Sequence, residues 1–178
     1  MQDTNLINEV LRGDQRAFKQ LVEKYTDTLF GAAIGFVHNR EEAEEIVQDS
    51  FVKAYQSLAA FGGRSSFSTW LYRITINQSI NYLRAKKRKK FWLGLSETFV
   101  GRSTDTPPDT MMEAQEQGER IRRAIESLPE KQRVALILSK YEELPQKEIA
   151  GIMNVTEGAV EQLMQRAKTN LRKKLAAP

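Results

Sequence analysis

An all-α fold of two small helical domains joined by a flexible linker, the second a helix-turn-helix, is what the sequence predicts, and three observations carry that prediction. Apolar residues recur at three- and four-residue spacing through most of the chain. The stretch SETFVGRSTDTPPDT, rich in Ser, Thr, Asp, Gly and Pro, breaks that periodicity once. After it comes a short helix, a tight turn and a longer helix. The boundaries are residues 1–92 for the first domain, 93–117 for the linker and 118–178 for the second domain.

Each element follows from local pattern. Residues 5–37 read as helical, with Gly13-Asp14 as punctuation and Phe18, Leu21, Val22, Tyr25, Leu29 and Ala33 on one face. Asn39 is placed as an N-cap with Glu42 in capping-box spacing, opening a helix whose buried stripe is Ala43, Ile46, Val47, Ser50, Phe51, Ala54, Leu58 and Phe61. Gly62-Gly63 ends it, and Ser68 is the candidate cap of the next helix. Pro107-Pro108 excludes a continuous helix through the linker. Phe91, Trp92, Leu93 and Leu95 at its start are too apolar for a bare tether and are expected to dock on the first domain. Beyond it, Ile121, Ile125 and Leu128 form one stripe, and Val134, Ile137, Leu138 and Tyr141 the next. Pro145 opens QKEIAGIM, Asn154 closes it in the left-handed conformation, Val155 plugs the corner, and Thr156 caps the last helix.

Composition bounds the function. With 40% hydrophobic and 28% charged residues the chain is a soluble globular type, and no apolar run reaches the ~18–20 residues of a membrane span, so no membrane insertion is expected. The N-terminus lacks the layout of a signal peptide, which points to the cytoplasm. No cysteine and a single histidine leave no metal-ligand cluster. No P-loop, nucleophile elbow or paired-carboxylate arrangement is present, so no cofactor and no enzymatic activity are expected.

The net charge of +4 conceals segregation. Glu41, Glu42, Glu44, Glu45 and Asp49 cluster on one helix, where Glu41, Glu45, Gln48, Val52 and Gln56 share an outward face with Asp49 at its edge. Such a face suits a partner or simple solvation. In FGGRSSFSTWLYRITINQSINYLRAKKRKK, by contrast, Trp70, Arg73, Asn77, Asn81, Arg84 and Arg88 fall within roughly a quarter-turn of a helix. An aromatic plane, two amides and three guanidinium groups in a row can stack on a base, read a base edge and hold phosphate. A polar, solvated helix side gives the same pattern.

The C-terminal unit has a more specific reading. In a helix-turn-helix the second helix enters the major groove, and here its outward set is Glu157, Gly158, Glu161, Gln162, Gln165, Arg166, Lys168 and Thr169. Gln can pair with adenine, Arg with guanine or phosphate, and Glu with cytosine. The alternative is a helical hairpin for protein contacts.

Taken together, AEEIVQDSFVKAY, FGGRSSFSTWLYRITIN and LPQKEIAGIMNVTEGAVEQLMQRAKTNL, in that order and spacing, resemble the bacterial RNA polymerase sigma factors of the compact extracytoplasmic-function (ECF) group. The resemblance covers about residues 14–90 and 118–175. It implies that Glu45, Gln48, Asp49 and Val52 dock on the clamp helices of core RNA polymerase. The loop Gly62, Gly63, Arg64, Ser65, Ser66 and Phe67 would wall a pocket for a flipped base of the minus-ten promoter element, with Trp70, Arg73, Asn77, Asn81, Arg84 and Arg88 along the melted non-template strand. Thr156, Glu157, Gly158, Glu161, Gln162, Gln165, Arg166 and Lys168 would read the minus-thirty-five element as duplex. An anti-sigma protein is a further implied partner. Pro145 stands where many relatives carry Ser, and Glu161 and Gln162 where many carry a basic residue. The reading is therefore a promoter-specificity subunit without catalysis of its own; an autonomous helix-turn-helix regulator is the alternative.

Overall fold

The computed structural model describes residues 2–93 and 109–176, with the side chains of Gln2, Lys90 and residues 109–115 outside the description. Among the described residues there are eight α-helices and no strand: α1 Gln2–Leu11, α2 Gln15–Val37, α3 Arg40–Ser57, α4 Phe67–Trp92, α5 Asp109–Glu126, α6 Glu130–Lys140, α7 Gln146–Met153 and α8 Glu157–Ala176. The heart of the expected linker, with Leu95 and Pro107-Pro108, lies outside the described residues. Helix α5 begins at Asp109, inside the stretch assigned to that linker.

Capping groups set the boundaries. Asp14 accepts from the Arg16 N–H at 2.8 Å to open α2 after Gly13, whose φ of 101° only glycine adopts freely. Asn39 accepts from the Glu42 N–H at 2.9 Å and opens α3 as its sequence indicates. The cap of α4 is Ser66 rather than Ser68. Its hydroxyl accepts from the Thr69 N–H at 3.1 Å, which starts the helix two residues earlier and puts Ser68 inside the first turn. Asn154 sits at φ 54° to end α7, and Thr156 accepts from the Ala159 N–H at 3.2 Å to start α8.

Helices α1–α4 bury Leu21, Leu29, Phe36, Ile46, Leu58 and Leu71, all below 2% exposure or at it, while α5–α8 close over Ile137, Leu138, Ile149 and Val160. Both helical units of the sequence expectation are present, and they do not stand apart. Their buried residues form one continuous cluster, joined where α7 packs on α4 and α6 on α2. Five apolar residues differ from expectation. Phe91, Trp92 and Leu93 do not dock on the first unit but stand 83%, 85% and 61% exposed, because α4 runs on past the body it packs against. Ile121 and Tyr141, read as core, are exposed at the edge of their stripes.

Leu71 is fully buried at the middle of this body. Leu71→Ala should lower stability by about 2–5 kcal/mol, seen as a lower urea midpoint; an unchanged midpoint would contradict its placement.

Candidate polymerase and nucleic-acid interface

On α3 the buried stripe Ala43, Ile46, Val47, Ser50, Phe51 and Ala54 turns Glu45, Gln48 and Asp49 to solvent. Val52 is 56% exposed beside them. The structure adds a neighbour that sequence reasoning missed. Phe18, Phe51, Val52 and Tyr55, with Gln15 and Gln56, line an apolar groove at the end of the acidic face, the Phe18 and Tyr55 rings meeting edge-on at 4.9 Å. The signal for Tyr55 was its i+3 spacing from Val52 on one helix side. Phe18, from another helix, carried none.

The glycine loop and α4 divide into groups of different availability. Gly62, Gly63, Arg64 and Ser66 are exposed, Ser65 is half-buried, and Gly63 has φ 66°. Phe67, expected on the pocket wall, is only 4% exposed. It packs against the rings of Tyr25, Phe61 and Trp70 at 5.6–5.7 Å, so it is the floor that holds the loop rather than a free contact. Trp70 is half-buried against Phe61 at 5.1 Å. Asn77, Asn81, Arg84 and Arg88 are exposed along the helix.

Three of the basic groups on α4 are already engaged. Arg73 donates through Nε to the Ile152 carbonyl at 3.1 Å and through Nη2 to the Gly151 carbonyl at 2.5 Å. Those carbonyls lie in the last turn of α7, where the negative end of the helix dipole favours a cation. Arg84 pairs with Glu130 at 2.6 Å at the start of α6. Lys86 likewise pairs with Glu42 of α3. The C-terminal unit therefore covers the middle of the face on α4, and a cleft lined by Arg64, Arg73, Asn77, Ile80, Glu130 and Met153 runs between the units.

That closure rests on a close approach. A Cβ added to Gly35 of α2 would lie 2.8 Å from Cγ2 of Ile137, nearer than packed atoms come, and in ordinary contact with the Tyr141 ring at 3.6 Å. One turn earlier, a Cβ on Gly31 would meet Glu142 Oε1 at 2.5 Å. Glu142 also accepts from the Tyr72 hydroxyl of α4 at 3.0 Å. Burial raises the Glu142 carboxyl above its ordinary value, and the Tyr72 hydrogen bond offsets only part of that. The Tyr72 phenol is raised in turn, first by burial and then by the Glu142 charge.

On α8 the inward residues are Val160, Met164 and Ala167. Thr156, Glu157, Gly158, Glu161, Gln162, Gln165, Arg166 and Lys168 are exposed, as a groove-entering face requires.

Residues 21–89 match the family model of sigma-70 region 2, and residues 118–171 match that of sigma-70 region 4. Over 98% of this chain and 94% of the relative, the sequence is 36% identical to the RNA polymerase sigma-H factor of Pseudomonas aeruginosa. The chain belongs to the RNA polymerase sigma factors. It is also 35% identical to the ECF RNA polymerase sigma-E factor of Haemophilus influenzae, over 97% of this chain and 95% of that one, which puts it in the ECF group. A solved structure of CnrH in complex with the cytosolic domain of CnrY superposes with TM-score 0.69 and 26% identity, covering 99% of each chain. This sigma factor is a promoter-directing subunit, and such subunits are non-enzymatic. No described helix is long and apolar enough to cross a membrane.

The contact between the sigma factor's two units yields two expectations. Gly35→Leu should separate them, giving a larger radius of gyration in small-angle X-ray scattering with helical circular dichroism intact; an unchanged profile would contradict the contact. Because Glu142 is raised in the closed arrangement, its protonated form favours closure. Closure is then strongest below the ordinary glutamate range and weakens as pH rises through the raised value. Glu142→Gln should flatten that dependence of the scattering radius, and a wild-type pH profile in the variant would rule the carboxyl out.

Proposed function

We propose that this sigma factor uses three faces in series. The α3 face of Glu45, Gln48, Asp49 and Val52 docks on core polymerase, with the Phe18 and Tyr55 groove taking an apolar side chain of the clamp. The loop 62–66 and the α4 residues Trp70, Arg73, Asn77, Asn81, Arg84 and Arg88 hold the melted non-template strand of the minus-ten element. The exposed side of α8 reads the minus-thirty-five element as duplex. The carrying observation is that one chain exposes an acidic face beside an apolar groove and, separately, a free recognition helix. An autonomous regulator needs the second and has no use for the first.

The compact arrangement is the DNA-free form in this reading. Arg73 cannot hold both the α7 carbonyls and a promoter strand, so engagement lifts α7 from α4. The cost is moderate. Exposed ion pairs such as Arg84 with Glu130 are worth about 0–1 kcal/mol. Unstacking a promoter base costs a few kcal/mol, and aromatic stacking returns about 1–3 kcal/mol per base. No fuel is needed, and bond formation stays with the polymerase. The sigma factor acts in the cytoplasm without a cofactor, and an anti-sigma protein that holds the closed form fits the same geometry.

Run-off transcription with purified core polymerase on a genomic fragment library tests this function. Specific initiation is expected, and none would favour the regulator. Asp49→Lys should weaken core binding roughly tenfold or more by placing like charges together, whereas unchanged affinity removes the α3 assignment. Joint Asn77→Ala and Asn81→Ala changes should lower permanganate-detected opening more than duplex binding. Arg166→Ala should cost about 1–3 kcal/mol at the upstream element, and an unaffected promoter profile would remove that contact.

A further inference from the structure

The C-terminal end of α4 continues past the covered part of the helix, and its side chains do not resemble a solvated tail. Phe91 and Trp92 are 83% and 85% exposed, the largest exposures among the bulky apolar residues described. Lys87, Arg88 and Lys89 are exposed beside them and form no ion pair among the described residues, unlike Arg84 and Lys86 further back.

Angular placement decides what such an end suits. Relative to Trp70, Arg88 lies at about 0°, Trp92 at about 40° and Phe91 at about 60° on the other side. Lys87 and Lys89 flank this group at about 100° on either hand. The guanidinium thus sits between two aromatic planes, with an ammonium on each flank, in line with the Trp70 and Asn77 face and about 27 Å beyond Trp70 along the axis. An amphipathic helix bound to a membrane segregates an apolar face from a charged one. Here Leu93 points about 100° away from Trp92, and cations interleave the aromatics, so a bilayer would have to bury charge with them. Duplex DNA offers phosphates but keeps its base faces stacked. Single-stranded nucleic acid offers both exposed base planes and phosphates.

We propose that the end of α4, from Lys87 to Trp92, extends the single-strand contact beyond Arg88, Phe91 and Trp92 stacking on bases while Lys87 and Lys89 join Arg88 on the flanking phosphates. It rests on the reading of α4 as the strand-bearing helix, which it extends to a segment that stays open when the C-terminal unit is closed over Arg73. The closed sigma factor therefore retains a place where an unpaired strand can land.

The chain has two tryptophans, so in a full-length Trp70→Phe background the emission reports Trp92 alone. Titration with an oligothymidine should quench that emission, and the midpoint should move to higher salt-free affinity as ionic strength falls. Phe91→Ala should weaken the binding about 5- to 150-fold. In the Trp70-containing protein Trp92→Ala should do the same, read by the anisotropy of a labelled strand. Both residues are exposed, so neither change threatens folding. Equal quenching by a duplex of the same length would overturn stacking. A response to phosphatidylglycerol vesicles with none to the oligothymidine would overturn the assignment in favour of a membrane surface. No quenching by either would overturn it outright. The permanganate assay of the Asn77 and Asn81 variants reads the middle of α4 separately, so failure at Trp92 leaves that reading standing, and failure there is seen independently of Trp92.

Discussion

At Gly35 two helices approach to a distance that any side chain would forbid, and the relation between the two halves of this sigma factor hangs on that contact. Ile137 occupies the space a Cβ would take, and Glu142 fills the corresponding space over Gly31 while accepting from Tyr72. The position of α6 on α2 then puts the end of α7 over α4, where its last carbonyls meet the Arg73 guanidinium. Remove the close approach and the polar contacts around it lose their registration. They cannot create it by themselves, since exposed or half-exposed polar pairs contribute little.

The same chemistry serves two incompatible partners. A guanidinium suited to phosphate is equally suited to the carbonyls of a helix end, because both present partial or full negative charge to a planar donor. In the proposed function, closure therefore occupies groups that promoter engagement would need. It is built from modest interactions around one tight apolar seam, and that keeps it reversible. A half-buried carboxyl at the seam, Glu142, adds an unfavourable component to closure whenever it is ionised.

Much of this was legible in the sequence, and the reasons are local. Asn39, Asn154 and Thr156 mark helix ends because their side chains or left-handed backbone act within a few residues. The outward set of α8 follows from the spacing of Val160, Met164 and Ala167. What was not legible depends on residues far apart in the chain. Gly31 and Gly35 look like mere weak points inside a helix until Glu142 and Ile137 are brought over them. Arg73 reads as a phosphate ligand until α7 arrives, and Phe67 reads as a loop residue until Tyr25 and Phe61 enclose it. Phe91 and Trp92 failed in the opposite sense: their apolar character implied burial, but α4 extends beyond the surface that the described residues offer to cover them.

The closed-to-open change is most directly read as a distance. The chain has no cysteine, so Lys19→Cys in α2 and Lys173→Cys in α8 supply two spin-label sites on exposed positions of the two units. Double electron-electron resonance on the free sigma factor should give a single narrow distribution, which shifts to longer distances when core polymerase and promoter DNA are added. A distribution identical in the free and promoter-bound states would contradict the account.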